Sequence, residues 1–238
     1  MKFQKLRSAV CEANRAIVRA ELVVLTWGNA SAVDRAAGVM AIKPSGVDYD
    51  ALRPQDIVLV SLEDGTVVDS SLRPSSDTPT HLHLYRAFPA IGGVVHTHST
   101  HATAWAQLNR PLPCFGTTHA DHFHGAVPVA RPLTKAEIDA GYEHATGVSI
   151  VETFTRLGLD PAHVPAVFLP GHAPFTWGPD AAHAVDNAIA LEAVAKMALL
   201  MGAAERDLPP LVPEILEKHF QRKHGPKAYY GQSGHHGG

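Results

Sequence analysis

Gly92-Gly93-Val94-Val95-His96-Thr97-His98-Ser99 sets two histidines one residue apart at the end of a β-branched run. Residues 91–96 therefore predict a strand. Side chains on a strand alternate between its faces, so His96 and His98 project together while Val95 and Thr97 point the other way. Two imidazoles on one face are what a cation needs from its first two ligands, and histidine is the commonest metal ligand. The two glycines upstream let other backbone or a ligand approach closely.

Outward from this strand the pattern changes period. A helix is predicted over 99–107 on one side. On the other, Asp77-Thr78-Pro79-Thr80 opens a helix to about residue 87, with Asp77 as N-cap and Pro79 in the first turn. Leu6, Val10, Ala13, Ile17 and Ala20 recur at helical spacing and predict an amphipathic helix over 3–20. Residues 39–42 and 57–60 predict strands, separated by Pro44, Gly46 and Pro54, and Glu63-Asp64-Gly65 predicts a hairpin turn before Thr66. Beyond the histidine pair come a short strand at 126–129, a capping box at Thr134 and Glu137, and a separate helix over 147–157. A buried strand at 166–169, an apolar helix over 180–201 and a last helix over 213–223 complete the pattern. Strands and helices without strict alternation predict an α/β chain whose sheet, part of it antiparallel, is covered by helices.

Composition narrows the function classes. The chain has 238 residues, 45% hydrophobic and 18% charged, with a net charge of −3. That balance is globular and argues against a nucleic-acid binder, which wants a basic surface. Cys11 and Cys114 form no CxxC pair, which fits a reducing cytoplasm and excludes a thiolate metal site. The first residues lack the apolar core of a signal peptide, and no stretch reaches membrane-spanning length. Sixteen histidines raise the prior for a metal.

A catalytic divalent cation takes three protein ligands and keeps one position open. Spacing leaves the third ligand among His81, His83, His101, His119, His122, His124 and His172; the last follows the strand at 166–169. Two segments suit an anion. Lys43-Pro44-Ser45-Gly46 offers an ammonium, a hydroxyl and a glycine amide, and Pro74-Ser75-Ser76-Asp77 puts two hydroxyls at a predicted helix N-terminus. Neither matches a nucleotide-binding fingerprint.

Several segments resemble, in order, the class II aldolase and L-ribulose-5-phosphate 4-epimerase family. They are Thr26-Trp27-Gly28-Asn29-Ala30-Ser31, Ile42-Lys43-Pro44-Ser45-Gly46-Val47, Pro74-Ser75-Ser76-Asp77-Thr78-Pro79-Thr80-His81, Val95-His96-Thr97-His98-Ser99, Gly116-Thr117-Thr118-His119-Ala120-Asp121, Gly171-His172-Ala173-Pro174-Phe175 and Arg222-Lys223-His224-Gly225 with Tyr229-Tyr230-Gly231-Gln232. The resemblance implies one domain over 1–232, a three-layer αβα sandwich with a central, largely antiparallel sheet, and a flexible tail over 233–238. It implies a four-fold homotetramer with active sites between subunits. His96, His98 and His172 match the family's metal histidines, with Asp77 beside them. Asn29, Lys43, Ser45, Gly46, Ser75 and Ser76 match the phosphate site. Asp121 and Tyr230 match the acid/base pair, Tyr230 from the adjacent subunit. Thr117, Glu143 and His219 match further active-site positions. The match departs at Leu169-Pro170-Gly171, where a family epimerase carries a second histidine, and at Asp121-His122-Phe123-His124.

The resemblance implies a zinc-dependent enzyme, with manganese or cobalt as alternatives, that converts L-ribulose 5-phosphate to D-xylulose 5-phosphate in L-arabinose catabolism. The C4 hydrogen is β to the ketone and not acidic, so inversion requires C3–C4 cleavage, rotation of the aldehyde and readdition. Cleavage leaves an enediolate that a Lewis-acidic cation stabilises. Two readings compete. One is an aldolase for a deoxyketose 1-phosphate such as L-fuculose 1-phosphate, although such enzymes generally carry glutamate at the position of Asp77. The other is a non-catalytic metal-binding protein, suggested by the histidine count and by His235-His236.

Overall fold

A computed structural model describes residues 3–205, 207–226 and 228. Tyr230 and the tail from Ser233 to Gly238 lie outside the described residues. The elements run α1 (Gln4–Arg19), β1 (Gly28–Asp34), β2 (Val39–Ile42), β3 (Val58–Ser61), β4 (Val67–Asp69), α2 (Thr78–Ala87), β5 (Gly93–Thr97), α3 (Thr100–Gln107), α4 (Thr117–Ala120), α5 (Lys135–Leu157), β6 (Ala166–Phe168), β7 (Pro174–Gly178), α6 (Ala181–Ala204) and α7 (Pro213–His224). The strands form one sheet in the order β4-β3-β2-β1-β5-β7-β6, antiparallel at every pairing. No described helix is long and apolar enough to cross a membrane.

Side-chain alternation builds three layers. Met40, Ile42, Val58, Val60, Val94 and Trp177 face one way, against Leu84 and Tyr85 of α2, Phe88 just after it, and Ile150 and Phe154 of α5. Ala30, Ala32, Ala41, Leu59 and Val95 face the other way, against Val10 and Ile17 of α1 and Ala184 and Val185 of α6. The second face is small where the first is large, so α1 and α6 ride close to the sheet. Asn14 fixes α1 in place: its amide donates to the Ala30 carbonyl at 3.0 Å and its Oδ1 accepts from the Ala30 N–H at 2.9 Å. The strand that carries Asn29 is thereby locked to its covering helix.

α6 starts close across β5. A methyl group on Gly93 would collide with the Asp180 carbonyl and the Ala181 backbone, whereas one on Gly202, late in α6, would meet nothing within 4 Å. Gly93→Ala is expected to destabilise by about 1–3 kcal/mol, because neither wall of the contact is a flexible side chain. Gly202→Ala is expected to be neutral or to stabilise by up to about 1 kcal/mol through helix propensity. Denaturant unfolding checks both; a Gly93→Ala midpoint equal to the parent's refutes the first.

Three expectations are corrected. The strand predicted at 126–129 is two isolated bridges, Leu112 to Val127 and Val129 to Phe168. Pro128 between them has no N–H with which to extend a ladder. The helices after Thr134 are one element with its break at Gly141, where φ is 154° and ψ 91°, rather than before Gly147. Gly147 is instead the crossing point with α2, since a Cβ there would lie 2.7 Å from His83 Cβ. Asp77 stands at the N-cap position, but its side chain makes no capping bond; it accepts from Asn29 Nδ2 at 2.6 Å.

Candidate active site

β5 carries His96 one residue before its end, opposite Asn29 on β1 and opposite Phe175 on β7. The His96 ring is 2% exposed and stacks on Phe175 with centroids 4.2 Å apart. Its Nδ1 lies 2.9 Å from the Pro174 carbonyl. A carbonyl can only accept, so the ring proton sits on Nδ1 and the Nε2 lone pair faces outward. His98 follows one residue past the strand end. His172 enters from the turn between β6 and β7, after Gly171 at φ 67°. Its Nε2 lies 3.3 Å from His98 Nε2, and the ligand atoms of His96, His98 and His172 all lie within 4.8 Å of one another.

Burial favours the neutral form of two of these rings, His98 and His172. Burial, with the neighbouring imidazoles, lowers His98 and pushes His172 down to about 4. Burial opposes the Asp77 charge, but His96, His81 and the Asn29 hydrogen bond outweigh it and hold the carboxyl below its ordinary value. Burial takes His81, just behind Asp77, down to about 3. Three converging imidazoles with a carboxylate beside them have the donor set that a divalent cation requires, with room left for substrate.

These side chains line one cavity of about 580 Å³. Its other wall is Lys43, Ser45, Gly46, Ser75 and Ser76, with Asn29, Trp27 and Asp77 between. Lys43 is 2% exposed; its ammonium donates to the Val47 carbonyl at 2.5 Å and sits 4.7 Å over the Tyr49 ring. Burial lowers its pKa, with Asp48 acting against that. Asn29 Nδ2 also donates to Ser75 Oγ at 3.1 Å, which ties the serine segment to the Asp77 side of the cavity. The first turn of α2 begins beside these serines and adds the positive end of a helix dipole.

The remaining expected residues gather elsewhere. Asp121 caps α4 and is held by α7: Arg222 donates to its two oxygens at 3.0 and 2.6 Å, and His219 Nδ1 lies 3.1 Å from Oδ1. Burial opposes the Asp121 charge, and the Arg222 and His219 hydrogen bonds outweigh it, so its carboxyl stays below the ordinary range. Thr117 shares this group, its carbonyl accepting from the Asp121 N–H at 2.9 Å. None of these side chains lines the histidine cavity. Glu143 lies at the α5 break, its carbonyl accepting from Thr80 Oγ1 at 2.6 Å.

Two contacts had not been anticipated. Tyr142 Oη lies 3.0 Å from His172 Nδ1. Glu192 of α6 accepts from the His101 N–H at 3.0 Å, the Ala102 N–H at 2.8 Å and His101 Nδ1 at 2.6 Å, capping α3 directly after His98. Gly141, a glycine within a helical pattern, is the sequence signal that marks the first; nothing local marks Glu192.

Comparison with known proteins points to one family. The model of the Class II Aldolase and Adducin N-terminal domain family matches residues 8–199. Over 230 residues, 97% of this chain and 100% of the relative, the sequence is 50% identical to L-ribulose-5-phosphate 4-epimerase UlaF of Salmonella paratyphi C. Among solved structures, an L-fuculose 1-phosphate aldolase superposes with a TM-score of 0.76 at 26% identity, covering 92% of this chain and 95% of that one. YgbL of Escherichia coli, described as a putative aldolase/epimerase/decarboxylase, gives 0.70 at 25% identity over 90% and 97% of the two chains. The chain belongs to the class II aldolase family.

Proposed function

We propose that this chain is an L-ribulose-5-phosphate 4-epimerase that inverts C4 by breaking and remaking the C3–C4 bond. The observation that carries the reading is the single cavity in which three imidazoles face an anion-suited wall. It is joined by 50% identity over nearly the whole chain to a relative of that name. His96, His98 and His172 would hold one divalent cation, zinc in the first instance, with Asp77 beside it. When bound, the cation supplies Lewis-acid stabilisation of the negative charge that cleavage leaves on the ketose oxygens.

The chain's own groups do the rest. Asn29, Lys43, Ser45, Gly46, Ser75 and Ser76 hold the phosphate, so the cleaved aldehyde stays bound while it turns over its other face. Asp121 is kept ionised by Arg222 and His219 and suits the role of base at the C4 hydroxyl. Tyr230 suits the role of donor on the opposite face. Because Asp121 does not line the cavity of its own chain, the site is completed by a neighbouring subunit of a homotetramer, with Thr117 and His219 arriving alongside. Glu143, one residue from the His172 partner Tyr142, serves at the same rim. Two buried free thiols, Cys11 and Cys114, suit a reducing cytoplasm.

Purified protein given L-ribulose 5-phosphate is expected to form D-xylulose 5-phosphate, and to stop when a chelator strips the cation. Dihydroxyacetone phosphate release from L-fuculose 1-phosphate, with no epimerised product from the first substrate, would instead make the chain an aldolase.

A further inference from the structure

We propose that Tyr142 is a positioning residue for the cation site, holding the His172 ring with its Nε2 lone pair turned toward His96 and His98. This rests on reading the three histidines as one cation site.

The three rings are not secured alike. His96 lies within β5, fully buried, stacked on Phe175 and pinned through Nδ1 to the Pro174 carbonyl. His98 follows directly, and Glu192 anchors the α3 turn just beyond it. His172 sits in the turn between β6 and β7. Its N–H donates to the Leu169 carbonyl at 3.1 Å, which orients the peptide and leaves the ring free to rotate. Among the described residues, the side chain outside the histidine group that meets this ring is Tyr142. Its Oη lies 3.0 Å from Nδ1, the nitrogen that faces away from His98.

The direction of the bond follows from the role of the ring. A ligating Nε2 carries a lone pair, so the ring proton belongs on Nδ1, and the phenol oxygen accepts it. His172 thus obtains from a side chain what His96 obtains from a backbone carbonyl.

Tyr142 is itself built into position. Gly141 takes φ 154°, a region that side-chain-bearing residues rarely adopt, and so turns the helix at this point. On the far side of the turn, Thr146 Oγ1 donates to the Tyr142 carbonyl at 2.9 Å, and Thr80 Oγ1 donates to the Glu143 carbonyl at 2.6 Å. The second bond fastens the Tyr142 segment to α2, the helix that begins right after Asp77. The phenol and the carboxylate beside the rings are therefore set by one helix pair.

The test is a Co2+ titration of metal-stripped parent and Tyr142→Phe protein against a competing chelator, read by visible absorption. Tyr142 is 38% exposed, so loss of one oxygen leaves the fold intact. The parent is expected to bind one ion per chain, and Tyr142→Phe to bind it about 10–100-fold more weakly with a changed absorption band. Melting of the metal-free proteins is expected to coincide. Binding within about twofold of the parent, with the same band, overturns the role of Tyr142 and leaves the cation site standing. A lower melting temperature for metal-free Tyr142→Phe assigns the weakening to the fold and overturns the role as well. A parent without a tight site overturns the cation reading itself, and this inference with it.

Discussion

His96→Asn is expected to emerge from dialysis without its divalent cation and to turn over L-ribulose 5-phosphate about 10²–10³-fold more slowly than the parent or worse, the cost typical of removing one preorganised stabilising group. The ring is 2% exposed, stacked on Phe175 and held by its Nδ1, so its Nε2 is delivered without conformational freedom. Asparagine is shorter, overpacks nothing, and leaves His98 and His172 as a pair. His101→Asn is the matched control. It lies three residues beyond His98, but its Nδ1 is taken by Glu192 at 2.6 Å. It lies outside the histidine group, and its removal is expected to leave the ion in place. Metal content per chain and turnover are measured together. Equal metal in His96→Asn and parent would remove this residue from the site.

What the sequence discloses here, and what it hides, follows from the range of each signal. His96 and His98 are legible as a pair because a strand repeats every two residues, a rule local to five positions. His172 is 74 residues from His98, and spacing left it among seven candidates. Pairing of β5 with β7 brings it in, and no local rule encodes that pairing. β1 escaped notice because Gly28-Asn29-Ala30-Ser31-Ala32 lacks the large β-branched residues that announce a strand. Its smallness is a tertiary requirement: Ala30 and Ala32 lie under α1, whose Asn14 bonds the Ala30 backbone on both sides. Asp77 misled for a related reason. An Asp before Thr-Pro-Thr has the local pattern of a helix cap, but Asn29 of β1, 48 residues away in sequence, claims the carboxylate. The three-layer architecture and the grouping of the histidine and anion-suited segments into one site come from family resemblance, and the described residues bring those segments together in one cavity.

Tyr230→Phe is expected to keep its cation and its assembly while losing about 10²–10⁴-fold in epimerisation, the range typical of a general acid or base. The substitution takes one oxygen and no volume of consequence. His224, the last residue of α7, places Nε2 2.9 Å from the Asp121 carbonyl, so the chain leaves that helix beside Asp121, and Tyr230 follows six residues on. Asp121 and the histidine cavity belong to different parts of the chain, which makes a strong demand on assembly. If each site joins the histidines of one copy to Asp121 and Tyr230 of its neighbour, two dead variants can repair one another. Co-expressed in equal amounts with random assembly, His96→Asn and Tyr230→Phe chains yield complete sites with a chance of one half for each contribution. The mixture is then expected to recover about a quarter of parental turnover, although neither variant has it alone. A site contained within one chain would give no recovery, because every chain in the mixture would carry a defect. Turnover of the mixed assembly at the level of the separate variants would therefore sink the shared site, whatever the individual losses proved to be.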